Sequence, residues 1–262
     1  MKYALIGNTK TEATKGAKGI CPVCSSELIA KCGTNRMSHW AHKGIRNCDS
    51  WWENETDWHR NWKDKFPQEW QEVVFKDETT GEKHIADVRT KDQLTIEFQH
   101  SFLDSNERVK REKFYQKMLW IVDGTRLPRD WTRFKTKMPE LRKTPTKGIF
   151  IVDFPDEYFS KNWLKSSVPV IFDFQGLETL LVNDLRNHLY LLYPNKGELD
   201  SKLLVLSREQ FIKDISEGNI NDLFETQNRQ EIKPVINSNM LQQIPPSKFV
   251  LHKGSFVRRK RF

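Results

Sequence analysis

Residues 83–101 read KHIADVRTKDQLTIEFQHS. Two runs rich in β-branched and aromatic residues, Lys83 to Thr90 and Leu94 to His100, flank Lys91-Asp92-Gln93, the pattern of two strands joined by a tight connection. A strand turns alternate side chains to opposite faces, so Glu97 and Gln99 share one face while Ile96 and Phe98 point the other way, towards a core. Pairing the two strands brings Asp87 beside Glu97. Both acids have apolar neighbours (Ile85 and Val88; Ile96 and Phe98), where a carboxylate without a partner is costly. Two carboxylates on neighbouring strands form a hard oxygen site for magnesium or manganese, which binds a phosphate oxygen and lowers the pKa of a coordinated water. The bland alternative is an exposed strand face.

The flanking sequence frames this hairpin. Residues 53–66 contain neither Gly nor Pro, place Trp58 and Trp62 four apart and stop at Pro67, which predicts a helix. Glu55, His59 and Lys63 are also four apart, so on such a helix they lie along one face, either as a solvated charge ladder or turned towards the metal. Strands are expected over Trp70 to Lys76, before the turn residues TTGE, and over Leu119 to Val122, ending at Asp123-Gly124. Between them, Asp104 to Met118 reads as a helix carrying Arg108, Lys110, Arg111, Lys113 and Lys117 interspersed with Glu107 and Glu112. That helix either tracks a phosphate backbone or is salt-bridged along a surface. His84 and His100 flank the acids as further candidates. The order is helix, three strands, helix, strand.

A second constellation precedes the first. Cys21-Pro-Val-Cys24 is followed by Cys32, by His39-Trp-Ala-His42 and by Cys48, so all four cysteines of the chain fall within one short stretch. A Cys-x-x-Cys knuckle offers two thiolates to zinc, which takes two more N or S ligands to complete a tetrahedron. Cys48 and one histidine can supply them; His42 is the first choice and His39 the alternative, with Cys32 also in range. Four protein ligands leave no position for water, so this zinc is read as structural. Four cysteines are too few for a disulfide scaffold in a chain of 262 residues.

Net charge is +8, which favours a polyanionic partner, but seven Lys or Arg and no acid lie between Ile232 and Phe262, so the excess sits in the tail. Arg258, Arg259, Lys260 and Arg261 are either nucleic-acid contacts or a solvated end. No apolar run is long enough to cross a bilayer, and MKYALIGN turns polar too soon for a signal peptide, so the expected address is cytoplasmic. Beyond residue 125, Pro128, Pro139 and Pro145 punctuate a basic stretch. Further strands are then expected at Ile149 to Phe154, Val168 to Phe174, Leu189 to Tyr193 and Leu203 to Leu206, with a short helix at Glu209 to Glu217.

The succession CPVC, KCG, SHWAHK, CD, WWENETDWHRNWK, HIADV, IEFQHS and WIVDG, over roughly residues 15–125, resembles the competence protein CoiA-like family of bacteria. The resemblance implies a PD-(D/E)XK restriction-endonuclease-like core, a mixed sheet flanked by helices within an α+β chain, preceded by a zinc-finger-like segment. It implies a metal-dependent DNA nuclease or DNA-processing protein working in competence, recombination or defence. Carried over position by position, the core acids fall on Asp87 and Glu97, the third position on Gln99, and the helical trio on Glu55, His59 and Lys63. The usual Lys of the wider superfamily is Gln99 here; a neutral amide can orient water but brings no positive charge, and Lys63 is the candidate to stand in. The corresponding partition is an N-terminal strand, Tyr3 to Ile6, with a zinc module at 1–50, a nuclease-like core at 51–125, a smaller α+β region at 126–228 and a basic, partly disordered tail at 229–262. DNA, single- or double-stranded, is the expected partner, together with recombination or uptake proteins. The rival expectation is a weak or inactive nuclease fold that binds DNA as an adaptor.

Overall fold

The computed structural model describes residues 1–34, 36–44, 48–51, 53–195 and 200–219, with the backbone of 249–252 and 255–258. The chain divides into two compact units, Met1–Phe224 and Glu225–Phe262. In the second, Phe249–His252 and Ser255–Arg258 pair as an antiparallel hairpin. The rest of the basic tail, Arg259 to Arg261 included, lies outside the described residues.

The first unit holds two sheets. In the N-terminal one, β1 (Tyr3–Ile6), β2 (Thr9–Glu12), β3 (Lys18–Ile20), β4 (Glu27–Lys31) and β5 (His39–His42) run in the order β2-β1-β3-β4-β5, each antiparallel to its neighbours. The sequence reading found β1 alone, because strands such as Thr-Lys-Thr-Glu carry no apolar alternation. The core beneath them is small: among the described residues, Met1, Ala4, Ala13, Cys21, Leu28 and Trp40, with Trp40 its one bulky aromatic. Gly19 is required there, since a Cβ at that position would meet the Ala4 Cβ at 2.8 Å.

The second sheet has nine strands. Its elements in chain order are α1 (Asp57–Lys63), β6 (Gln71–Lys76), β7 (Lys83–Arg89), β8 (Thr95–Gln99), α2 (Ser105–Tyr115) and β9 (Met118–Asp123). There follow α3 (Pro128–Lys137), β10 (Arg142–Lys143), β11 (Ile149–Asp153), α4 (Lys161–Leu164), β12 (Val170–Asp173), β13 (His188–Leu192), β14 (Asp200–Ser207) and α5 (Arg208–Glu217). The spatial order is β10-β11-β14-β13-β12-β9-β8-β7-β6. β9 is parallel to both β8 and β12; the other neighbours are antiparallel. The sheet runs unbroken across residue 125, where the sequence reading drew a boundary, because β12 docks alongside β9.

Helices cover both faces of this mixed α+β layer. Trp58 and Trp62 of α1 and Phe211 and Ile215 of α5 bury against Val88, Ile96, Phe98, Ile121 and Leu191. On the other face, Phe114 and Tyr115 of α2, Phe134 of α3 and Trp163 of α4 bury against Trp120, Phe172 and Tyr190. Pro128, read in sequence as punctuation, is instead the first residue of α3, where its fixed φ and missing N–H suit a helix start. Among the described residues, no helix is long and apolar enough to cross a membrane.

One buried acid locks α1 in place. Asp173, fully buried at the end of β12, accepts hydrogen bonds from the Trp58 and Trp62 indoles, both at 2.9 Å, and from Arg208 at 3.2 and 2.6 Å. With the tryptophans held there, the adjacent helical stripe, His59 and Lys63, is aimed at the splayed ends of β7 and β8.

Candidate functional site

Asp87 sits at a gap in the ladder. On the β6 side the register steps from Val73 opposite Ala86 to Gln71 opposite Val88, and Glu72 between them takes a left-handed φ of 45°. On the β8 side, pairing covers Arg89 with Thr95 and Val88 with Ile96. Continuing that register sets Asp87 opposite Glu97, and there the side chains replace the backbone ladder. The Asp87 amide donates to Glu97 Oε1 at 3.2 Å, and the Phe98 amide donates to Asp87 Oδ2 at 3.0 Å. The two acids therefore converge as alternation and register require.

The stripe from α1 meets them. His59 Nε2 lies 2.8 Å from Asp87 Oδ1, and Lys63 Nζ lies 4.0 Å from the same oxygen, 2.5 Å from Glu55 Oε1 and 2.8 Å from Glu72 Oε1. Glu55 reaches this cluster from the loop before the helix. The helix expected from residue 53 begins at Asp57 because Thr56 caps it, its side chain accepting from the His59 amide at 3.3 Å. Glu55, His59, Lys63, Glu72, Asp87, Glu97 and Gln99 all line one pocket, with Arg111 and Tyr115 of α2 across from them.

Gln99 keeps its place beside Glu97, but its amide is engaged: Nε2 donates to Glu53 Oε1 at 2.7 Å and to Ser101 Oγ at 3.1 Å. His84 and His100 lie elsewhere. His84 bonds Asp49 at 2.9 Å and stacks on Trp51, fastening the N-terminal module to β7, whereas His100 bonds Asp123 at 2.7 Å. On α2, Arg108 and Arg111 are buried and ion-paired to Glu112 and Glu107, so these two do not track a backbone; Lys110 and Lys113 remain exposed.

The second site is the cysteine knuckle. Cys21 and Cys24 lie in the β3–β4 turn, held by the Cys21 amide to Ser26 carbonyl bond at 2.9 Å; His42 ends β5, and Cys48 follows it. Their ligand atoms all lie within 4.8 Å of one another. Cys21 Sγ and Cys48 Sγ are 3.8 Å apart, and His42 Nε2 is 3.4 Å from Cys24 Sγ and 3.5 Å from Cys48 Sγ. A tetrahedron with Zn–S of about 2.3 Å and Zn–N of about 2.0 Å has edges of roughly 3.8 and 3.5 Å, which these three separations match. His39 does not join them; its Nδ1 faces the Met37 carbonyl at 2.9 Å, and the Cys32 thiol faces the Ala13 carbonyl at 3.6 Å.

Residues 6–50 match the family model described as competence protein CoiA, N-terminal domain. The chain carries a CoiA-type N-terminal domain. No curated protein and no solved structure matches the chain. The CoiA-type domain contains the whole Cys3His cluster, while Asp87 and Glu97 lie beyond its end.

The electrostatics of the two sites differ. In the CoiA-type domain burial opposes ionisation of Cys24, but bonds from Ser26 and His42 outweigh it and bring the thiol down to about 6, ready to ligate. Burial and the neighbouring Cys21 push Cys48 up to about 12, a cost that a bound cation removes. In the carboxylate pocket, burial would raise Asp87, yet His59 and Lys63 outweigh it and hold it below the usual range. Burial and then the Asp87 charge push Glu97 well above that range. Burial lowers Lys63, but Glu72, Glu55 and Asp87 more than compensate and keep it firmly protonated. Glu53, Glu72 and Tyr115 escaped the sequence reading, and Arg111 entered it only as one of the charges on the α2 helix, without a place in the pocket. For Arg111 and Tyr115 the available signal was their spacing of four on α2 facing the same strands as Glu97.

Proposed function

We propose that the chain is a metal-dependent DNA nuclease with a PD-(D/E)XK-type core, in which Asp87 and Glu97 hold one divalent cation and the CoiA-type domain holds a structural zinc. The observation that carries this reading is the meeting of Asp87 and Glu97 across a broken ladder, with His59 and Lys63 brought to the same carboxylate from α1. The donor set is hard oxygen, which suits magnesium or manganese. Glu97 cannot easily ionise beside Asp87 alone, and a cation is what allows both to stay charged. Glu55 Oε1 and His59 Nε2 are buried in the pocket and each is held by a charged neighbour, Lys63 at 2.5 Å and Asp87 at 2.8 Å.

When bound, the cation would supply Lewis acidity at a phosphodiester oxygen and an acidified water. The chain's own groups do the rest. His59, backed by Asp87, can accept or deliver a proton within the pocket. Lys63 fixes Glu55 and Glu72 so that the floor of the site stays rigid. Gln99, with its amide held by Glu53, presents a neutral polar group beside Glu97. The match to a competence-protein domain supports a competence-related context, and DNA processing in the cytoplasm is the setting proposed for it.

Gln99 also favours a second reading, a DNA-binding adaptor that kept the fold without turnover. Incubating the purified zinc-loaded chain with plasmid and with single- and double-stranded oligonucleotides in magnesium, manganese or EDTA separates the two. The nuclease cuts in metal and stops in EDTA or after Asp87→Asn; the adaptor retains DNA in a salt-sensitive way and leaves it intact in every metal.

A further inference from the structure

The positive charge that Gln99 lacks is present, but it comes from a helix. Arg111 of α2 is buried, with Nη1 3.5 Å from Glu97 Oε2 and Nη2 3.7 Å from Glu53 Oε1. Its fork is held rigid by the Trp51 carbonyl at 2.8 Å and by Glu107 Oε1, 3.1 Å from Nε and 2.5 Å from Nη2. Lys63, the stand-in expected from sequence, is spent on Glu55 and Glu72 and stands 4.0 Å from Asp87. The guanidinium is thus the cation on the Glu97 side of the pocket, and it occupies the space between Glu97 and Glu53 where a second metal ion would otherwise find two carboxylates.

We infer that Arg111 is the fixed positive charge of this site, taking the place of a second metal ion between Glu97 and Glu53 and restricting the pocket to a single divalent cation. The inference rests on the proposed function and adds to it a stoichiometry and a residue. It follows from elementary electrostatics. A permanent charge at this range repels an incoming divalent ion, so the site accepts weaker metal binding in exchange for a Glu97 carboxylate held in place by a charge that needs no second ion. Arg111 acts as a positioning residue through Glu97, and the planar fork, unlike an ammonium, can address two carboxylates at once.

The test is calorimetric titration of Mn2+ into the zinc-loaded full chain, with turnover measured in parallel, for the wild type, Arg111→Met and Arg111→Lys. The wild type is expected to take about one Mn2+ beyond the zinc. Arg111→Met is expected to bind Mn2+ roughly tenfold tighter while turnover falls roughly a hundredfold, and Arg111→Lys to recover part of both. A merely structural arginine would lose affinity and turnover together. Two Mn2+ in the wild type, or unchanged or weaker binding in Arg111→Met, overturns the inference while leaving the nuclease reading standing. If the wild type binds no Mn2+ in this pocket, the nuclease reading itself falls, and this inference with it.

Discussion

His59 Nε2 lies 2.8 Å from Asp87 Oδ1, so a helix side chain and a strand carboxylate meet at the point where both ladders of β7 are interrupted. His59 is a histidine lining the pocket, and it touches a proposed cation ligand. His59→Ala is expected to lower DNA cleavage by about a hundredfold with little change in fold, whereas His59→Asn keeps part of the contact and loses less. Steady-state cleavage rates beside circular dichroism spectra check this; equal rates for wild type and His59→Ala would remove His59 from the chemistry.

The placement of α1 depends on Asp173. Replacing it by Ala leaves two buried indole N–H groups and the partly buried Arg208 guanidinium without their carboxylate, and a loss of about 3–5 kcal/mol of stability is expected, against about 1–3 kcal/mol for Asp173→Asn. Urea unfolding of the two variants gives both values. Metal binding should weaken in Asp173→Ala even under conditions where the protein remains folded, because His59 and Lys63 ride on the same helix.

Acid stability should track Glu72. Burial would raise this carboxyl, but Lys63 beside it holds it far below its ordinary 4.5. A depressed carboxylate contributes stability that is complete above the unfolded value and is lost as pH falls below it, so wild type should weaken steadily below about pH 4.5. Glu72→Gln should be less stable at neutral pH and show a flatter acid limb. Thermal melts across pH 3 to 7, roughly the window in which this linkage operates, are the measurement.

Glu97 works with the opposite sign. Burial and Asp87 raise it, so the metal-free folded protein keeps a proton that the unfolded chain releases above 4.5, and its stability falls as pH rises through that window. A divalent cation displaces the proton. Stabilisation by Mn2+ should therefore grow from pH 5 to pH 8, conditions chosen on the two sides of about neutrality, and vanish in Glu97→Gln. A Mn2+ shift in melting that is independent of pH would contradict this.

In the CoiA-type domain, Cys21→Ser, Cys24→Ser, His42→Ala and Cys48→Ser should each cut zinc content well below about one ion per chain, while His39→Ala and Cys32→Ser should not. Chelation should loosen the N-terminal sheet, whose core is too small to stand alone, before it disturbs the nine-stranded one. Zinc analysis and hydrogen exchange over residues 1–50 read the two effects.

Much of this was legible beforehand. Alternation along 83–101 indicated which side chains share a face, and the cysteine spacing marked the segment whose Cys and His residues could hold a metal. The choice between His39 and His42 was not legible, because residues three apart on a strand face opposite ways and β5 carries too little apolar pattern to be recognised as a strand. Glu55 was assigned to the right cluster on the wrong element, since a capping threonine shortens α1 without altering its apolar spacing. Arg111 was named among the charges of α2, but its burial stayed hidden because that helix is charged on every side, so no apolar stripe announces which face is buried.

The most direct measurement is a manganese anomalous difference map from crystals of the zinc-loaded chain soaked in millimolar MnCl2. A single peak within coordination distance of both Asp87 and Glu97, apart from the zinc at Cys21, Cys24, His42 and Cys48, is the expected result. A peak bound to only one of the two acids, or none at either, would contradict the shared cation on which the proposed chemistry depends.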